Sequence, residues 1–100
     1  MVTEIFSNFI KLEQESEERA LVYLYESLID LKDSNDCDIF LESVKPELLT
    51  SDSIVHILNS MSWRKNLKNW DNFVSISEKR LLELVGEKET NVILRPMKLI

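Results

Sequence analysis

The chain has 100 residues, 44% of them hydrophobic and 30% charged, with a formal net charge of -6. That length holds one core and no second domain, and the balance lies well outside the low-hydrophobicity composition of disordered chains. One glycine and two prolines leave almost no material for tight hairpins, barrel corners or Gly-rich phosphate loops, so the composition predicts helices.

Thr3 precedes E-I-F-S-N-F-I-K-L, in which Ile5, Phe6, Phe9, Ile10 and Leu12 approximate one helical face. Thr3 therefore reads as the N-cap of a first helix running to about Gln14. Ser16 caps the next, with Glu17 and Glu18 favouring its dipole and Leu21, Leu24, Tyr25, Leu28 and Leu31 forming its stripe. Val22 and Ile29 widen that stripe, which predicts a central helix touched on more than one side. D-S-N-D at 33–36 breaks the pattern, and I-F-L-E-S-V forms a short helix ending before Pro46. Thr50 or Ser51 caps the segment in which Ile54, Ile57, Leu58 and Met61 follow helical spacing.

Asn69 then caps W-D-N-F-V-S-I-S-E-K-R-L-L-E-L-V, where Trp70, Phe73, Val74, Ser77, Leu81 and Leu84 share a face and Gly86 takes the left-handed position after the last turn. The tail changes character. Val92, Ile93 and Leu94 favour extended structure and Pro96 disfavours helix through Arg95, so 87–100 is expected as an extended tail or arm with Leu99 and Ile100 buried. Such an arm needs a groove, a second copy or a partner's sheet to satisfy its backbone. The expected fold is a single all-α domain over residues 1–100, a compact bundle or helical-hairpin array of four to five helices ending in that tail.

Catalytic and metal-binding patterns are weak. Aligned from Asp33, a calcium loop would need an oxygen donor where Cys37 stands, glycine where Asp38 stands and glutamate where Val44 stands. A polar turn with Asp36 or Asp38 capping the next helix explains the segment better. His56 is the only histidine and Cys37 the only cysteine, so neither an internal disulfide nor a zinc site of recognisable spacing is available. Nothing near a Cys37–His56 pair supplies an oxyanion hole, and Glu13, Glu15, Glu17 and Glu18 read as a solvated link and helix start. No catalytic residue, cofactor or metal is therefore expected.

Charge is the most informative global feature. Residues 1–60 hold 13 acidic against 4 basic side chains, and residues 61–100 hold 5 against 8. The basic segment W-R-K-N-L-K-N-W at 63–70 admits two accounts: a weak single-strand nucleic-acid binder, with Arg64, Lys65 and Lys68 on phosphates, or a helical hairpin with Trp63 closing one helix and Trp70 opening the next toward the core. The hairpin is favoured, its basic rim extended by Lys79 and Arg80 and facing an acidic protein surface. The expected function is a non-catalytic adaptor or regulator acting through another protein or as a homodimer, with Trp63, Arg64, Lys65, Lys68, Lys79, Arg80, Val92, Ile93 and Leu94 as contacts. The first alternative is a nucleic-acid mimic, such as a phage-encoded inhibitor of a nuclease or DNA-binding protein; nucleic acid itself is the least favoured partner. No run approaches the roughly 18 apolar residues of a membrane span, and M-V-T-E-I-F-S-N-F does not resemble a signal peptide, so no membrane partner and a cytoplasmic location are expected.

Overall fold

Short polar side chains at the helix starts do most of the local work. In the computed structural model, which describes residues 2–64 and 66–98, Ser16 accepts from Arg19 N at 3.3 Å and opens α2 (Glu17–Asp30), while Thr50 accepts from Ser53 N at 3.3 Å and opens α4 (Ser51–Met61). Asp33 accepts from Asn35 N at 2.7 Å and opens α3 (Ser34–Ser43). Each satisfies a backbone donor that the first helical turn leaves open. The polar break at 33–36 is thus largely the first turn of α3. At the N-terminus the expected cap is displaced: Val2–Glu4 forms a 3-10 turn and α1 (Ile5–Glu15) begins after Glu4 without a side-chain cap.

Pro46 opens a second 3-10 turn, Pro46–Leu48, after Lys45 has left helical geometry. The fifth helix, α5 (Trp70–Lys98), is divided at Gly86. Asp38 of α3 anchors its start: its carboxylate accepts from Lys68 N at 3.1 Å and Asn69 N at 3.0 Å, while Asn69 Nδ2 donates to the Asp38 carbonyl at 2.9 Å. A carboxylate at a helix N-terminus also meets the positive end of the dipole. Asp38 therefore caps a helix about thirty residues away rather than the one it sits in.

Gly86 has φ 85° and ψ 173°, a region essentially confined to glycine. It breaks the helical run, and the stretch 87–98 resumes as helix. This corrects the expectation of an extended arm. Thr90, Leu94 and Met97 are buried at i, i+4, i+7 spacing, so tertiary packing of one helical face outweighs the strand preference of Val92, Ile93 and Leu94. Pro96 lies inside the helix, and both it and Val92, four residues earlier, are exposed; water can take the Val92 carbonyl that Pro96 cannot bond. Leu99 and Ile100 lie outside the described residues.

A Cβ at Gly86 would meet nothing within 4 Å. The cost of Gly86→Ala is therefore backbone strain alone, about 1–3 kcal/mol, read as a lowered urea midpoint at unchanged m-value. An unchanged midpoint would mean that the bend relaxes freely.

The helices share one core, with Phe9 of α1, Leu24 and Leu28 of α2, Phe40 of α3, Ile54 and Leu58 of α4, and Leu81 and Leu94 of α5 all but removed from water. Among the described residues there is no strand, and no helix is long and apolar enough to cross a membrane. The molecule measures 33 × 31 × 17 Å. A thickness of 17 Å accommodates about two packed helix layers, so a helix in this slab is readily covered on one side and open on the other.

Candidate functional site

Arg64 and Lys68, the described cations of the 62–69 connection, do not face the same way. Arg64 turns inward: Nη1 donates to the Leu31 carbonyl and to Cys37 Sγ (3.2 Å), Nη2 to the Leu28 carbonyl (3.1 Å), and Nε to the Ser60 carbonyl (3.3 Å). Leu28 and Leu31 carry carbonyls of the α2 C-terminus, where the dipole is negative and no basic residue of α2 itself stands in the last turn. Arg64 is thus a C-terminal clamp supplied from another part of the chain. Cys37 beneath it is fully buried, and burial pushes its thiol above the ordinary range while Arg64 partly offsets the shift.

The remaining sequence candidates scatter. Lys68 and Lys79 are exposed. Arg80 donates through Nε to the Leu49 carbonyl at 3.2 Å and pairs with Glu83 at 3.6 Å. Val92 is exposed, Ile93 partly buried, and Leu94 buried in the core; Lys65 lies outside the described residues. Trp70 packs partly buried against the core as expected. Trp63, expected to close its helix toward the core, is instead 69% exposed, with the Arg64 guanidinium 4.7 Å from its ring centroid. Asn66 takes φ 64°, a left-handed conformation that asparagine tolerates better than most residues.

The larger departure is on α2. Its buried residues are Ala20, Leu24 and Leu28, while Val22 (53%), Tyr25 (55%) and Ile29 (53%) are open to solvent. The helix packs against α1 and α4, and among the described residues nothing covers this line, the second cover implied by its wide apolar stripe. These three residues stand at i, i+3, i+7, which places them in one line along the helix. Across from them α4 presents Asp52, His56 and Ser60, with the Tyr25 and His56 rings 5.3 Å apart. Two hollows follow this seam: one of about 410 Å³ bordered by Val22, Tyr25, Asp52 and His56, and one of about 710 Å³ bordered by Ile29, Lys32, Ser60 and Trp63. The sequence signal for this face was present in Val22 and Ile29, but sequence alone does not say whether a broad stripe is covered in cis.

His56 Nε2 is out of solvent and has no hydrogen-bond partner among the described residues, and desolvation lowers its pKa from 6.5. The folded state therefore binds this proton less readily than the unfolded chain. Stability conferred by neutral His56 is fully present above the unfolded value and is lost as pH falls from about 6.5 through the lower folded value. Urea midpoints compared at pH 7.5 and pH 5.5 should fall in the wild type, and His56→Gln should flatten that decline. Glu13, raised by burial and by Glu17, acts with opposite sign nearer the carboxylate range.

Among the described residues no group of three or more His, Cys, Asp or Glu is placed to share a metal ion. Comparison with protein-family models, curated proteins and solved structures gave no match, so a functional reading rests on this chain's own surface.

Proposed function

We propose that the protein is a non-catalytic contact module, an adaptor or regulator, that binds another protein through the face formed by Val22, Tyr25 and Ile29 of α2 with Trp63 at its end. The observation that carries this reading is the line of three half-exposed apolar side chains on a helix whose other side is already packed. Isolated exposed leucines or valines are ordinary, but contiguous apolar patches on the order of several hundred Å² mark interaction sites. Tyrosine and tryptophan in such a patch bury large area at little cost in side-chain freedom. Of the contacts expected from the sequence, Trp63 belongs to this face. The inward hydrogen bonds of Arg64 favour a structural use for that residue.

The test is co-purification from the native host with three baits: wild type, a Val22→Ser/Tyr25→Ser/Trp63→Ser variant, and Lys79→Ser on α5. A protein retained by wild type and Lys79→Ser but lost about tenfold or more by the triple variant supports the face. Equal capture by all three baits refutes it, and turnover of a substrate by the purified chain refutes the non-catalytic reading.

A further inference from the structure

We propose that the α2–α4 seam receives a basic amphipathic helix of a partner protein, an inference that rests on the contact reading above and adds the chemistry of the occupant. Three observations lead there.

The first is shape. From Val22 to Ile29 the apolar line spans about 10 Å, two turns of helix, and it is flanked by the two hollows rather than by a flat surface. Helices are recognised in this way, through apolar side chains at i, i+3 or i+4, and i+7 entering a groove between two helices. A strand would need an open sheet edge, and the described residues contain no strand.

The second is charge. The two helices that form the seam carry Glu17, Glu18, Glu26, Asp30 and Asp52 against Arg19 alone, five acids to one base, and all six side chains are exposed. Glu26 and Asp52 border the Tyr25–His56 hollow directly. Lys32 and Arg64 border the other hollow, at the Trp63 end, and they confine the acidic stretch to the end nearer Asp52. A partner helix with lysine or arginine flanking its apolar line meets complementary charge there, which speeds association and penalises acidic competitors.

The third concerns a second copy of this chain. A two-fold contact places the same patch on both sides. Here it would set the Glu26 and Asp52 rims of two molecules of net charge -6 close together, a cost that a basic partner avoids.

Three synthetic peptides of about 18 residues, five turns, test the proposal by nitrogen-15 NMR on the full chain. One is a Leu/Lys helix with apolar residues at i, i+4 and i+7; one has the same pattern in Leu/Glu; one is a scrambled Leu/Lys sequence with no apolar face. The expected result is binding of the first, about tenfold or more tighter than either of the others, with shifts at the Trp63 indole and at the amides of residues 22, 25 and 29. Val22→Ser/Ile29→Ser, checked for an intact fold by circular dichroism, should remove the binding. Equal binding of the Leu/Glu helix overturns the charge assignment and leaves the contact face standing. Equal binding of the scrambled peptide, or shifts confined to another surface, overturns helix recognition. A doubled mass in light scattering that Val22→Ser/Ile29→Ser returns to monomer would assign the seam to a second copy and overturn the proposal while keeping the face. If no peptide binds and the triple-variant bait also captures normally, the face itself is excluded.

Discussion

Arg64→Ala should lower stability by about 2–4 kcal/mol, seen as a fall in melting temperature of about 10–20 °C for a domain of this size. The guanidinium bonds two carbonyls from the end of α2, one from α4 and the Cys37 thiol. It also supplies positive charge to a helix end whose own last turn contains Asp30 and no base. Removing it takes the charged donor from two carbonyls partly screened from water, leaving the Leu28 carbonyl with the Leu31 amide at 3.2 Å and the Leu31 carbonyl with the Cys37 thiol at 3.7 Å. Hydrogen bonds to a charged group are worth about 1.5–3 kcal/mol each, and they do not add in full when one side chain makes several. Arg64→Lys should recover only a fraction, because one ammonium cannot reproduce the planar fork that spans these acceptors.

Two controls isolate this effect. Lys68 carries the same charge in the same connection but is exposed, so Lys68→Ala should stay within about 0.5 kcal/mol of wild type. Cys37 supplies an independent readout, since its thiol is fully buried beneath the guanidinium. A thiol reagent should attack it slowly in the wild type and more than about tenfold faster in Arg64→Ala, because the opening that exposes it becomes easier by at least 1.4 kcal/mol. If Arg64→Ala melts like the wild type, the clamp contributes nothing, and Arg64 returns to the candidates for partner contact. Charge reversal at Arg64 should for the same reason unfold the chain before it informs on binding.

The parts of the fold that were legible in the sequence are those decided within a few residues. Ser16 and Thr50 cap the helices they precede, and Ile54, Ile57, Leu58 and Met61 are buried together on α4 as their spacing requires. Where a side chain acts across the fold, local pattern is silent. Arg64 and Asp38 are polar residues in or near loops, and nothing nearby indicates that one will clamp α2 and the other cap α5. The candidate face was half legible: Val22 and Ile29 announced an apolar stripe too wide for one contact, and α2 does touch both α1 and α4, but local pattern does not say that the described residues, in a slab 17 Å thick, leave Val22, Tyr25 and Ile29 open.

The tail was misread for a related reason, and it yields the second large effect. Strand preference and Pro96 both argued for extended backbone over 92–96, whereas the burial period of Thr90, Leu94 and Met97 argues for helix. The two geometries make opposite statements about Val92 and Leu94. In a strand, residues two apart point to the same side; in a helix they stand about 200° apart. Leu94 is 1% exposed and Val92 62%, so Leu94→Ala should cost about 2–5 kcal/mol while Val92→Ala stays within about 0.5 kcal/mol. Comparable losses at both positions would restore the extended arm. Pro96 adds a variant of opposite sign. Alanine at 96 regains the amide that bonds the Val92 carbonyl in a regular helix and raises local helix propensity. In this fold Pro96→Ala should therefore raise the urea midpoint, whereas in an extended arm it would free a restrained backbone and lower it.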